Sequence, residues 1–252
     1  MRGLDVVQGS PEWLQARLGI PTASQADRIL TPSRMKPAAA AREYLHQLLA
    51  EWILGYPIEW AGNSQYMQRG TDLEAEARAA YELEMGVDVQ TTGLLLTDDG
   101  LFGGSPDGLV GDDGGVEIKC PAIHTHIGYL LDHESLADRY RGQVQALLWI
   151  TGREWWDLWA YHPDLPPVRV RVHPDTEWRA AWEPTLTTFI AELLACREKL
   201  RDYKRIPPTV EAGQETETAA GIVPGDLASL LGDAAAVLEH ADGYVPHRGH
   251  RA

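Results

Sequence analysis

Three side chains near the middle of the chain have the types and spacing for cation-assisted chemistry on a phosphodiester. Asp107 sits in the turn Ser105-Pro106-Asp107-Gly108, and nine residues of turn and strand separate it from Glu117-Ile118-Lys119. Residues two apart on a strand share a face, so Glu117 and Lys119 stand side by side while Ile118 faces the opposite layer. A hairpin returning from Asp107 brings its carboxylate to the same place. Two carboxylates and the Ile118 carbonyl make an oxygen-rich set of the kind Mg²⁺ prefers, and the adjacent ammonium can hold or help deprotonate an attacking water. The plain alternative is a turn aspartate beside a surface ion pair worth less than about 1 kcal/mol.

A second group lies near the N-terminus. Thr22 and Ser24 stand at a helix start, where free backbone N–H groups and the positive end of the dipole favour an anion, and Arg17 can close the site. Helix capping alone would need one hydroxyl and no arginine. Other residues invite a colder reading. His124-Thr-His126 lacks a third imidazole or thiolate and reads as a solvated loop. Cys120 has no base to pair with and reads as a small core residue. The Trp-rich EWWDLWAY suits core or subunit packing better than base stacking.

These groups need elements to hold them. Ser10, Pro11 and Gly19 bracket a short helix over 11–18, and Thr22-Ala-Ser24 caps a second. Residues 37–54 predict a third, ended by Gly55, and Asn63 and Ser64 precede a fourth that runs to about Met85. On that fourth helix Glu74 shares the stripe of Ala77 and Tyr81, yet it also stands four before Arg78, the spacing of an exposed ion pair. From Val87 the pattern becomes GVDVQTTGLLL, LFGGSPDGLV and GVEIKC, separated by Asp/Gly turns, which suits three antiparallel strands.

A helix is expected over 135–151. Its inward edge carries Tyr140, Gln143, Leu147 and Ile150, so the Gln143 amide can bond a phosphate or a water without competing for a metal; Gln145 points elsewhere. EWWDLWAY and the alternating VRVRV read as strands about the turn HPDLPP. Apolar residues from Trp178 to Leu200 recur at helical steps, so 175–202 reads as a long helix kinked at Pro184. After Ile206 the composition shifts to Gly, Thr, Glu and Ala. The division expected is one domain over 1–206 and an acidic, partly disordered tail over 207–252, with a short helix at 226–239.

The whole-chain numbers bound these readings. With 252 residues, 44% of them hydrophobic, there is material for one full core. Two cysteines exclude a disulfide framework, a four-cysteine zinc site and an iron–sulfur cluster. No apolar signal core or membrane-length run occurs, so a cytosolic protein is expected. Net charge is −15, but unevenly spread: residues 1–42 carry six basic and three acidic side chains, and 43–119 carry three and fifteen. The acidic middle block contains Asp107 and Glu117, and a bound divalent cation would reverse the field there.

The string PDG…EIK resembles the signature of the PD-(D/E)-x-K nucleases. Four blocks in order, WLQARLGIPTAS, RGTDLEAEARAAYE, SPDGLVGDDGGVEIKCP and YRGQVQALLWITGREWWDLWAYHPD, resemble the family of phage lambda exonuclease and the YqaJ-type viral recombinases. That resemblance implies an α/β, restriction-endonuclease-like core with a mixed central sheet flanked by helices. It also implies two Mg²⁺ ions, with Mn²⁺ able to substitute. Asp107, Glu117 and the Ile118 carbonyl would hold one, Asp107 and Glu74 would contribute to the second, and Lys119 and Gln143 would place the nucleophile. Arg17, Thr22 and Ser24 would hold the 5′-phosphate of a duplex end, and Arg34 would reach DNA from the following loop.

The activity implied is 5′→3′ digestion of one strand of linear double-stranded DNA, leaving a 3′ tail for recombination. A homotrimeric ring and a single-strand annealing partner are implied as well, in the cytosol of a bacterium or phage-infected host. An endonuclease of the same superfamily would cut closed circles with the same residues. A non-catalytic DNA-binding scaffold for recombination is the reading from another class.

Overall fold

The β-like runs of the middle third do become strands, but they divide between two sheets. The computed structural model describes residues 1–58 and 64–204, without the side chains of 64–72; the expected tail and its helix lie outside the described residues. In chain order, β1 (Arg2–Leu4) leads to α1 (Pro11–Arg17), a 3₁₀ helix (Ala23–Arg28), the hairpin β2 (Leu30–Thr31) and β3 (Lys36–Pro37), α2 (Ala41–Leu54) and α3 (Ser64–Met85). Then come β4 (Val89–Gln90), β5 (Leu94–Leu96), β6 (Gly103–Gly104), β7 (Gly108–Val110), β8 (Gly114–Lys119), α4 (Ile123–Leu131), α5 (Glu134–Thr151), β9 (Trp155–His162), β10 (Leu165–Val172) and α6 (Thr176–Lys199).

The main sheet has the order β10-β9-β8-β7-β4 and is mixed, because β8 and β9 run parallel while every other pair is antiparallel. The α/β expectation therefore holds. The single set of three antiparallel strands does not: β5 pairs with β6 on one side and, on the other, with β1, which the sequence reading missed, in a separate three-stranded sheet. The α5 crossover of the parallel β8–β9 pair covers one face. There Trp156, Leu158, Ala160 and Val168 pack with Val144, Leu147, Trp178 and Trp182. On the other face Val116, Ile118 and Trp159 pack with Ala77 and Tyr81 of α3. Period-two alternation along β8 and β9 makes this division.

Several boundaries moved for physical reasons. The helix expected from 37 begins at Ala41, because Pro37 pairs with Leu30 in the short hairpin. The element after Thr22 is 3₁₀ rather than α, and the Thr22 side chain makes no capping bond. The solvated loop expected at His124 and His126 is α4; His126 is fully buried, with its Nε2 2.8 Å from the Pro166 carbonyl. Pro166 and Pro167 fall inside edge strand β10, where the register shifts between Leu165 and Val168, a place where missing donors are tolerated. EWWDLWAY is core as expected, with Trp156 and Trp159 at 0% exposure. α6 runs on through Pro184.

Candidate active site

Antiparallel pairing of β7 with β8 sets Gly108 opposite Val116, which carries Asp107 back to the far end of β8. There the Ile118 N–H donates to Asp107 Oδ2 at 2.7 Å. Glu117 and Lys119 share the α5 face as the two-residue period requires, with Lys119 Nζ donating to Glu117 Oε1 at 2.7 Å. Ile118 turns into the opposite layer. From α5 the Gln143 Nε2 donates to Glu117 Oε1, and its Oε1 accepts from Lys119 Nζ at 3.3 Å. Gln145 instead braces the start of α6, donating to the His173 carbonyl and accepting from the Asp175 N–H.

Electrostatics mark this as a strained set. Burial, with the Glu117 carboxylate beside it, holds the Asp107 carboxyl well above the usual range; Lys119 and the Ile118 N–H pull it part of the way back. Burial works against the Lys119 charge as well, but Glu117 and Asp107 outweigh it and keep the ammonium above its ordinary range. Lys119 thus stands in the site as a cation and hydrogen-bond donor.

Glu117 is 2% exposed and its Oε2 has no hydrogen-bond partner among the described residues. A buried carboxylate oxygen without a donor, beside a crowded second carboxylate, is what a hard divalent cation would satisfy. The residues present therefore fit a metal held by Asp107 and Glu117. Glu74 lines the same cavity, but its Oε1 is bound to Arg78 Nη2 at 2.5 Å. No trio of His, Cys, Asp or Glu is gathered as a metal cluster among the described residues.

The second constellation opens into the same space. Arg17 Nη2 lies 3.4 Å from Thr22 Oγ1, which is 3.3 Å from Ser24 Oγ, and the Arg17 guanidinium stacks 4.2 Å over the Trp13 ring. Burial disfavours the Arg17 charge, with Tyr44 and Glu51 opposing that effect, so an anion here would relieve it. Thr22 forms a parallel bridge to Gly103, and the Gly103 N–H donates to the Pro21 carbonyl at 3.1 Å. That bridge joins the N-terminal segment to the strand leading into Asp107. One cavity of about 340 Å³ is lined by Arg17, Thr22, Ser24, Glu74, Asp107, Glu117, Ile118, Lys119 and Gln143 together. Arg34 is exposed on the β2–β3 hairpin and does not line it.

Sequence reasoning missed Ser105 and Trp13. Ser105 lines the cavity between the two groups and its Oγ accepts from Trp13 Nε1 at 2.7 Å; its place in SPDG, two before Asp107, was the available signal. It also undervalued Cys120, which lines the cavity as well as packing on the core. Tyr140 was read only as helix stripe, yet Lys119 Nζ sits 4.6 Å from its ring centroid. A desolvated cation–π contact is worth about 1–2 kcal/mol. Tyr140→Leu should therefore lower kcat on DNA by roughly tenfold, while Tyr140→Phe, which keeps the ring, should stay near wild type. Equal rates for the two variants would remove the role.

The mixed sheet and the helix α5 beside it present two carboxylates, a lysine and a glutamine to a cavity that Arg17, Thr22 and Ser24 also line. Residues 12–154 match the model of the YqaJ-like viral recombinase domain, and the chain belongs to that family. Among solved structures it is similar to an alkaline exonuclease, LHK-Exo, from Laribacter hongkongensis, with 37% identity over 77% of this chain and 97% of that one and a TM-score of 0.68. The complex of LHK-Exo with dAMP matches at 36% identity, the same coverage and the same TM-score. A phage-related exonuclease from Haemophilus somnus 129PT, at 15% identity, 79% and 97% coverage and TM-score 0.55, shares the fold. No curated protein matches. No helix among the described residues is long and apolar enough to cross a membrane.

Proposed function

We propose that the protein is a Mg²⁺-dependent exonuclease that degrades one strand of linear double-stranded DNA 5′→3′ and leaves a 3′ single strand for recombination. The observation that carries this is the shared cavity: one wall offers Arg17, Thr22 and Ser24 to a terminal phosphate, and the other offers Asp107, Glu117, Lys119 and Gln143 to a phosphodiester. When bound, Mg²⁺ would polarise the phosphate and supply a nucleophile at neutral pH. Asp107, Glu117 and the Ile118 carbonyl would hold one ion, and Asp107 with Glu74, once released from Arg78, a second; Mn²⁺ would substitute. The Lys119 ammonium and the Gln143 carboxamide would orient the attacking water and bond the scissile phosphate. Alkaline exonuclease relatives at 36–37% identity support an exonuclease over an endonuclease.

Arg34, exposed on its hairpin, would touch the duplex outside the cavity. A ring of three subunits would let basic groups face DNA while the acidic excess faces solvent. The outer stripe of α4, with Ile123, Ile127 and Leu131 at 48%, 44% and 84% exposure, suits a subunit contact. A single-strand annealing protein would receive the 3′ strand. A chain with only two cysteines, Cys120 and Cys196, suits work in the cytosol.

The test is a time course with Mg²⁺, and an EDTA control, on a linear duplex labelled at one 3′ end and carrying 5′-phosphates, beside a closed circle. Progressive shortening of the labelled strand with the circle intact is the expected result. Cutting of the circle would replace this reading with an endonuclease, and no Mg²⁺-dependent loss of either DNA would leave a binding scaffold. Arg17→Ala should lower the preference for a 5′-phosphate over a 5′-hydroxyl end by about tenfold or more, the scale of one lost charge-assisted bond. An unchanged preference would remove the anion pocket.

A further inference from the structure

The helix that carries Gln143 and the helix of the anion pocket meet where a side chain is missing. α5 presents Gly142, buried and directly before Gln143; the 3₁₀ helix that starts beside Thr22 presents Asp27. The Asp27 carboxylate occupies the place a β-carbon at 142 would take, within the contact radius of Oδ1 and 2.9 Å from Cγ. The Gly142 N–H hydrogen-bonds this carboxylate, an approach that only a residue without a β-carbon allows. Ala23 and Ala26 of the 3₁₀ helix and Ala146 of α5, each at most 1% exposed, belong to the same packed layer.

Glycine weakens a helix interior, so its presence inside an 18-residue helix calls for a compensating contact, and Asp27 provides one. Neither residue lines the cavity, yet each is joined to a part that does. Gln143 is the next residue after Gly142, and Thr22 and Ser24 lie within five residues of Asp27.

We propose that Asp27 and Gly142 form a spacer that fixes the distance from the terminal-phosphate pocket to the hydrolytic carboxylates, and so decides which phosphodiester, counted from the 5′ end, is cut. The inference rests on the exonuclease reading above. Both are positioning residues, and their loss should change register rather than rate alone, since a misplacement of about 1 Å is worth roughly a hundredfold in a reacting geometry.

The decisive experiment uses a duplex with a 5′-terminal ³²P-phosphate and measures the length of the first labelled product, together with the ratio of initial rates on 5′-phosphate and 5′-hydroxyl ends. Wild-type protein should release one first-product length. Asp27→Ala should release a mixture and lower the rate ratio by about tenfold or more. Gly142→Ala should do the same and lower the melting temperature, and the double variant, in which the clash is gone, should melt near wild type while still releasing mixed lengths. A folded Asp27→Ala protein with a single first-product length and the wild-type ratio would overturn the spacer. So would a uniform slowing with register intact, which is what a merely structural residue would give, or mixed lengths from the wild type itself. If the wild type degrades no linear duplex at all, the exonuclease reading fails instead, and that outcome is distinct from every one of these.

Discussion

Asp107→Asn should abolish cutting, by about a thousandfold or more, while leaving DNA binding and folding intact. Asparagine keeps the shape and can still accept from the Ile118 N–H, now 2.7 Å from Asp107 Oδ2, so β7 and β8 stay in register. What it removes is the charge that would hold a cation and oppose charge build-up on the phosphate, and losses of that kind cost about 10²–10³ or more in rate. Stability should move the other way. Burial and Glu117 raise the Asp107 carboxyl above its unfolded value, so the ionised carboxylate costs the fold stability, and that cost fades as pH falls through the raised value. The neutral amide never carries it. A variant that melts at or above the wild-type temperature, binds a 5′-phosphorylated duplex in Ca²⁺ and cuts nothing in Mg²⁺ is the expected phenotype. Cutting at the wild-type rate would sink the metal assignment.

Trp182→Ala should be the most damaging core change. Trp182 is fully buried, stacked at 4.9 Å on Trp178 and edge-on to Phe102 and Trp149 at 5.4 and 6.3 Å. Emptying this space should cost about 3–5 kcal/mol, a fall of roughly 10 °C or more in Tm for a chain of this size. Trp182→Phe should cost much less, because the ring contacts largely survive and the lost indole N–H has no hydrogen-bond partner among the described residues. The cage also bears on the site, since Phe102 leads through Gly103 and Gly104 to Ser105 and Asp107. Catalysis by the alanine variant should therefore fall before global melting, measurable as activity against temperature beside a calorimetric scan. Coincident loss of both would separate the cage from the site.

The candidate site was more legible than its scaffold, because its information is local. Glu117 and Lys119 meet through strand periodicity alone, and a turn of the right length returns Asp107; both follow from spacing along the chain. Joining Arg17, Thr22 and Ser24 to the same cavity was not legible. It depends on the long-range bridge between Thr22 and Gly103, and no periodicity encodes a pairing so far apart in sequence. For the same reason β1 went unseen: three residues that pair with β5 carry no pattern of their own. Glu74 exposes the limit of stripe arguments, since one turn of helix offers it both the cavity and Arg78, and the choice is made by a neighbour. His124-Thr-His126 reads as a solvated loop because no third imidazole or thiolate stands nearby, whereas the segment is α4 and His126 is buried against the Pro166 carbonyl.

The bridge from Thr22 to Gly103 also governs how the protein can fluctuate. In the proposed reaction the segment that would hold the terminal phosphate and the segment that carries Asp107 are joined by this backbone link, so an opening that frees the first should also slacken the second. Capture and cleavage would then belong to one cooperative unit in amide exchange, with the Gly103 N–H, bonded to the Pro21 carbonyl, as its reporter. A nuclease that worked this way would not cut an end it held loosely, which would spare duplex that merely drifts past.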